Sequence, residues 1–148
     1  MNRFPATLLT GLALTTAISA QSTNHPQEWA RLSPFTAVKP AANSAIVRYE
    51  GRDYELISIN GQRIAEILSF CQRTYRNWWE KRFTEDLVEV LAAIGHPMTP
   101  QKTVTLLLKD PVNGRVTTID HAPMTAQNRD AAFLFRQQNR KDHPDWPR

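Results

Sequence analysis

The sequence predicts an α+β domain in which a small, mostly antiparallel sheet packs against two to three helices. Two pairs of short β-prone runs are each joined across a turn that contains glycine. Apolar residues between the two pairs recur at helical spacing, and a further helical pattern follows the second pair. Strand pairs separated by helices are typical of α+β domains, because each pair forms a hairpin and the helices cover the sheet.

The first predicted hairpin spans residues 45–59. Residues 45–50 read Ala-Ile-Val-Arg-Tyr-Glu, Gly51 interrupts the run, and residues 54–59 resume it as Tyr-Glu-Leu-Ile-Ser-Ile. Asn60-Gly61 ends the second strand, because both residues tolerate left-handed backbone angles.

Two helices are predicted before the second hairpin. The first has one apolar face, formed by Ile64, Ile67, Leu68, Cys71 and Tyr75. The second covers about 78–94, and its apolar face consists of Phe83, Leu87, Val90, Leu91 and Ile94. Gly95 is a favourable C-terminal stop, and Pro97 prevents the helix from continuing.

The second hairpin and a last helix complete the predicted domain. Residues 104–108 form a strand, 110–114 a turn that ends in Asn-Gly, and 115–119 the return strand. Thr125 can cap a helix that runs to about Gln138. Three of its residues are expected to face inward, namely Ala131, Leu134 and Phe135.

The first 20 residues have the features of a cleavable secretory signal. Arg3 supplies a basic start, residues 8–14 form a short apolar core, and small residues precede the preferred cut between Ala20 and Gln21. A cut after Ser19 is an alternative. An uncleaved membrane anchor is the other alternative, but it needs about 20 apolar residues, and this run is shorter. We therefore expect an exported protein, periplasmic or extracellular, with no transmembrane segment in the mature chain.

The chain is predicted to divide into four segments. We predict a signal peptide over 1–20, a loose leader over 21–44, the α+β domain over 45–140 and a flexible C-terminal tail over 141–148.

Removing the signal peptide leaves 128 of 148 residues and lowers the formal charge from +4 to +3. Acidic and basic residues are interleaved, whereas nucleic-acid binders gather Lys and Arg on one face, so no nucleic-acid partner is expected. The single cysteine excludes an internal disulfide.

Residues 54–68 read Tyr-Glu-Leu-Ile-Ser-Ile-Asn-Gly-Gln-Arg-Ile-Ala-Glu-Ile-Leu. This run resembles the strand, Asn-Gly turn and helix entry of a PDZ domain, and residues 103–119 resemble the closing strands. The spacing is most similar to PDZ-like domains of exported tail-specific (C-terminal-processing) serine proteases, which carry a helical insertion where 76–99 fall here. The resemblance implies a PDZ-like fold. Residues 33–46 contain no Gly-rich carboxylate-binding loop and no protease catalytic region is matched, so no functional residue is transferred.

The segment from Tyr75 to Phe83 mixes aromatic and cationic side chains. Its candidate binding residues are Arg76, Trp78, Trp79, Lys81 and Arg82. Neighbouring residues on a helix point about 100° apart, so the two tryptophans cannot both face one core. One indole is therefore expected at the surface, where it can contact a partner; the other interpretation is a helix-start anchor for the leader or the C-terminal segment.

The other residues that could take part in catalysis or metal binding are explained by core packing, by loops or by solvation. Cys71 lies on an apolar helix face, where a small buried side chain is expected. The four histidines lie in loops without ligand spacing, so neither a metal nor another cofactor is predicted. Glu85, Asp86 and Glu89 are expected on a solvated helix face.

The leading hypothesis is an exported, non-enzymatic PDZ-like module that contacts an envelope or extracellular protein or peptide through residues 76–83. One alternative is a hydrolase with Cys71 as its nucleophile. Another is a domain that binds a glycan or a small apolar ligand through its tryptophans.

Overall fold

The sheet of this α+β domain is antiparallel, and three helices lie in the connection between its fourth and fifth strands. The computed structural model describes residues 28–142. Its six strands are β1 (Ala37–Pro40), β2 (Ala45–Tyr49), β3 (Arg52–Ile59), β4 (Gln62–Arg63), β5 (Thr103–Lys109) and β6 (Val116–Pro123). Their spatial order is β1-β2-β3-β5-β6, and the short β4 pairs with β3.

The described residues contain four α-helices. They are α1 (Ile64–Tyr75), α2 (Trp79–Glu85), α3 (Leu87–Ala93) and α4 (Ala126–Asp142). A single 3-10 turn, Arg76–Trp78, joins α1 to α2. The helix predicted over 78–94 is thus two helices, because the backbone leaves helical angles at Asp86 (φ −121°, ψ 37°).

The first predicted hairpin is confirmed. In β2 the side chains of Ala45, Val47 and Tyr49 are buried while those between them are partly exposed, as the two-residue period of a strand requires. Glu50 and Gly51 both have positive φ and form the two-residue connection to β3.

The Asn60-Gly61 turn links β3 to β4 and also to β5. Both turn residues are left-handed, with φ of 50° and 79°. The Asn60 N–H donates to the Thr105 carbonyl at 2.8 Å, and the Asn60 side-chain oxygen accepts from the Thr105 N–H at 2.9 Å. The turn therefore holds the end of β3 against β5, where the ladder is interrupted by a register shift between Leu56 and Ser58.

The predicted apolar faces of the central helices form much of the core. Ile64, Ile67, Leu68 and Cys71 of α1 are buried, as predicted. Phe83 of α2 and four residues of α3, namely Leu87, Val88, Val90 and Leu91, join the same cluster beneath the sheet.

The last helix begins as predicted but faces the core differently. The Thr125 hydroxyl accepts from the Asn128 N–H at 3.1 Å, which is the expected N-terminal cap. The prediction that Leu134 points inward is wrong, because this side chain is 59% exposed. The buried positions are instead Arg129, Ala132 and Arg136, since an ion pair described below draws the two arginines inward.

The boundary predicted at residue 44 is also wrong, because residues 33–44 belong to the domain. Phe35 is buried, Ser33 forms a bridge with Thr125, and β1 pairs with β2. Proline in the leader did not prevent this strand, since Pro40 sits at the sheet edge, where its missing N–H is tolerated. Residues 1–27, which include the predicted signal peptide and its cleavage site, and 143–148 lie outside the described residues.

Replacing Asn60 should destabilise the fold more than its exposure suggests. Asn60→Ala removes the acceptor for the Thr105 N–H. It also places alanine, which tolerates positive φ less well than asparagine, in the left-handed region. We therefore expect the free energy of unfolding to fall by about 2 kcal/mol. Asn60→Asp keeps an acceptor at the same place and should lose less than half as much. Urea unfolding followed by circular dichroism measures both. Equal losses for the two variants would contradict the role given to the side-chain hydrogen bond.

Candidate functional site

The aromatic and cationic segment predicted as a contact surface lies at the junction of α1 and α2. Trp78 is 45% exposed, whereas Trp79 is partly buried and packs against the core cluster. The two adjacent indoles therefore separate as helix geometry requires. Trp79 anchors the start of α2, and Trp78 is available at the surface.

Cations lie beside two aromatic rings at this junction. The Lys81 ammonium is 5.8 Å from the centroid of the Trp78 ring, and the Arg82 guanidinium is 5.5 Å from that of Tyr75. Arg82 also pairs with Asp86 at 3.2 Å and with Glu89 at 3.0 Å. Among the described residues neither Arg76 nor Lys81 forms an ion pair, so these two cations can meet a partner's carboxylates.

Arg76 has an unusual backbone conformation. Its φ of 52° and ψ of −123° lie in a backbone region that residues other than glycine rarely adopt. This residue ends α1 and turns the chain into the 3-10 turn that presents Trp78. The surrounding structure therefore holds a strained residue next to the exposed indole.

A buried ion-pair cluster joins α2 to α4, and the sequence did not predict it. Glu85 was expected on a solvated face but is only 3% exposed. Its carboxylate lies 3.1 Å from the Arg136 guanidinium and 3.6 Å from that of Arg129, and Arg129 Nε donates to the Glu85 carbonyl at 3.1 Å. The two arginines are seven residues apart on one helix face, which is the only sequence signal that could have indicated this cluster.

A cavity of about 340 Å³ lies beside this cluster, between β1, α2 and α4. Its apolar lining comes from Val38 and Pro40 of β1. Its polar lining comes from Lys39 of β1, Glu80 and Thr84 of α2, and Arg136 and Asn139 of α4. Sequence reasoning missed this cavity, because the face of α4 that forms one wall was assigned incorrectly.

Cys71 occupies the core position predicted for it. The thiol is free and fully buried in the apolar cluster. Burial raises the pKa of the Cys71 thiol to about 12, so the reactive thiolate is disfavoured near neutral pH. This environment opposes the alternative in which Cys71 is a hydrolase nucleophile.

Residues 28–142 lack two features that would indicate other classes of protein. In that range no group of three His, Cys, Asp or Glu side chains is arranged to hold a metal ion. Over the same range, none of the helices combines the length and the apolar composition needed to cross a bilayer.

Cys71 should resist thiol reagents in the folded protein. With Ellman's reagent at pH 7.5 we expect less than about one tenth of the thiol to react before unfolding, because both exposure and thiolate formation are suppressed. In guanidinium chloride the full equivalent should react at once. A Cys71→Ser variant provides the blank. Stoichiometric labelling of the native protein would restore the nucleophile alternative.

Comparison of the chain with protein-family models, with curated proteins and with solved structures gives no match.

Proposed function

We propose that this chain is an exported, non-enzymatic PDZ-like module that contacts another protein in the envelope or outside the cell through residues 76–83. The exposed indole of Trp78, placed beside an unpaired cation, is the observation that carries the proposal. Large aromatic side chains are usually withdrawn from water, and they dominate the binding energy of protein interfaces when a partner covers them.

The order of elements supports the PDZ-like part of the proposal. Strand β3 runs through the Asn60-Gly61 turn into the short β4 and then directly into α1, after which β5 pairs antiparallel with β3. A strand, an Asn-Gly turn, a helix entry and a closing strand are the parts on which the resemblance rests. Helices α2 and α3 occupy the place of the helical insertion that the resemblance implies.

The chemistry of the contact surface indicates what a partner must offer. An apolar or aromatic side chain can cover Trp78, and carboxylates can pair with Arg76 and Lys81. We therefore propose an extended or helical protein segment that carries both acidic and aromatic residues. The burial of Cys71 favours this role over thiol-dependent hydrolysis.

Truncating Trp78 should weaken partner binding while leaving the domain folded. For Trp78→Ala we expect at least a tenfold loss of affinity, because a central aromatic anchor contributes about 2 kcal/mol or more. Its free energy of unfolding should fall by about 1–2 kcal/mol, because the half-buried indole loses part of its packing, and the domain should remain folded. Partners are captured by crosslinking in envelope extract, identified by mass spectrometry and then titrated in purified form.

Val112→Ala is the control, because Val112 is 93% exposed in the turn between β5 and β6 and lies outside residues 76–83. Equal affinity of the wild type and Trp78→Ala for every captured protein would contradict the proposed surface. A Trp78-dependent fluorescence change with a glycan, in the absence of any protein partner, would favour the ligand-binding alternative.

Export makes a separate prediction about the mature N-terminus. Full-length protein expressed in a Gram-negative host should be recovered outside the cytoplasm with Gln21 as its first residue. A Leu12→Arg variant, which interrupts the apolar core of the signal, should stay in the cytoplasm with Met1 intact or simply removed. Recovery of the wild type in the cytoplasm with an uncleaved N-terminus would contradict export.

A further inference from the structure

Strand β6 forms an open edge of the sheet. It pairs with β5 on one side, and the spatial order β1-β2-β3-β5-β6 places no described strand on its other side. Of its side chains only that of Ala122 is buried, and that of Ile119 is partly buried. Val116 is 52% exposed, although its side chain is apolar. Such an edge presents unpaired backbone N–H and C=O groups, to which another strand can add.

The opposite edge of the sheet is protected, whereas β6 is not. Strand β1 has four residues, includes Lys39 and Pro40, and packs against α2 and α4. A short strand, a charged side chain, a proline and a covering helix are all devices that prevent edge-to-edge association. Residues 116–119 of β6 instead read Val-Thr-Thr-Ile, four β-branched residues without a charge or a proline. The contrast favours β6 as the edge at which association occurs.

The hydrogen-bond pattern identifies the backbone groups on the open side of β6. The Asp110 N–H donates to the Arg115 carbonyl at 2.8 Å, so Arg115 directs its carbonyl toward the β5 side of the hairpin. Residues of an antiparallel strand alternate between hydrogen-bonded and non-hydrogen-bonded positions, and the register with β5 is regular from Val116 to Thr118. The N–H and C=O groups of Val116 and Thr118 therefore point away from β5, to the open side.

An irregularity in the β5–β6 ladder limits where a second strand can add. The register shifts opposite residues 119–122, where β6 has one residue more than β5. An extra residue bends the strand and interrupts regular pairing, so the regular edge is Val116–Ile119. A two-fold antiparallel pairing confined to this stretch has Thr117 at its centre. Val116 of each copy then faces Thr118 of the other, and their outward N–H and C=O groups meet.

We propose that a second copy of this chain adds antiparallel to β6, so that two molecules share one continuous sheet with Thr117 on the two-fold axis. The charges that flank the regular edge favour a second copy as the occupant. Arg115 precedes this stretch and Asp120 follows it, so antiparallel pairing sets the cationic end of one strand beside the acidic end of the other. At the axis each Thr117 faces its counterpart in a non-hydrogen-bonded pair, where side chains are closest and threonine pairs are favourable.

The dimer does not depend on the protein-interaction proposal. The contact surface of residues 76–83 lies at the junction of α1 and α2, and α2 packs on β1 at the other edge of the sheet. Association through β6 therefore uses a different part of the molecule. Because a dimer carries two copies of the contact surface, it would bind a partner with repeated sites more tightly than a single molecule does.

Cysteine crosslinking tests both the edge and the register. The Cα atoms of a non-hydrogen-bonded antiparallel pair are about 4.5 Å apart, which a disulfide can bridge. With protein recovered from expression of the full-length chain, Thr117→Cys should form a covalent dimer under mild oxidation. Thr118→Cys is the matched control, because its two copies lie about 8 Å apart in this register, and it should crosslink at least about tenfold more slowly. The wild type should stay uncrosslinked, because its Cys71 is buried.

Sedimentation equilibrium tests the association itself. The wild type should dimerise with a dissociation constant on the order of 10 µM, as suits a small interface. Thr118→Pro removes an N–H that points away from β5, and Val116→Lys adds a charge to the edge, so each should raise this constant at least about tenfold. Val112→Lys, in the exposed turn outside the paired stretch, is the control and should dimerise as the wild type does. Circular dichroism checks that each variant is folded.

Several results would overturn the proposal. One is a wild type that remains monomeric at about 200 µM. Equal crosslinking of the two cysteine variants is another, and unchanged association of folded Val116→Lys is a third. Slow hydrogen exchange of the Val116 and Thr118 amides only in the presence of a different protein would also overturn it, because the edge would then accept a heterologous strand.

Discussion

The pairing of Glu85 with two arginines is the interaction on which the arrangement of the helices depends. A buried unpaired carboxylate is penalised by several kcal/mol, so α2 can place Glu85 inside the domain only if cations accompany it. Arg129 and Arg136 supply them from α4, and Arg129 also binds the Glu85 carbonyl. Because this cluster brings α4 against α2, and α4 also packs on β1, the three elements enclose the cavity between them.

The sheet and the central helices could be predicted because their signals are local. Alternating burial along β2 follows directly from alternating residue types, and Asn60-Gly61 marks a turn through the backbone angles that these residues tolerate. The apolar face of α1 likewise depends only on residue spacing. The separation of the two tryptophans also followed from local helix geometry, so the position of the candidate contact surface was accessible from sequence.

What could not be predicted depends on contacts between distant residues. Glu85 and Arg136 are 51 residues apart, and nothing near either residue indicates that it is buried. The assignment of α4 failed for this reason: Leu134 was placed inward as an apolar residue, whereas the arginines bury their aliphatic stems and satisfy their charges on Glu85. β1 was missed because a four-residue edge strand carries little pattern of its own and forms by pairing with β2.

A purely structural role explains Arg129 better than it explains Arg136. One cation suffices to neutralise Glu85, and Arg129 already contacts both its carboxylate and its backbone carbonyl. A second buried guanidinium adds a desolvation cost, and well-packed apolar side chains often replace such groups without loss of stability. The unsatisfied Nε of Arg136 increases this cost rather than reducing it. Removing Arg136 alone would still be costly, because the Glu85 carboxylate would lose its closer partner, which lies at 3.1 Å.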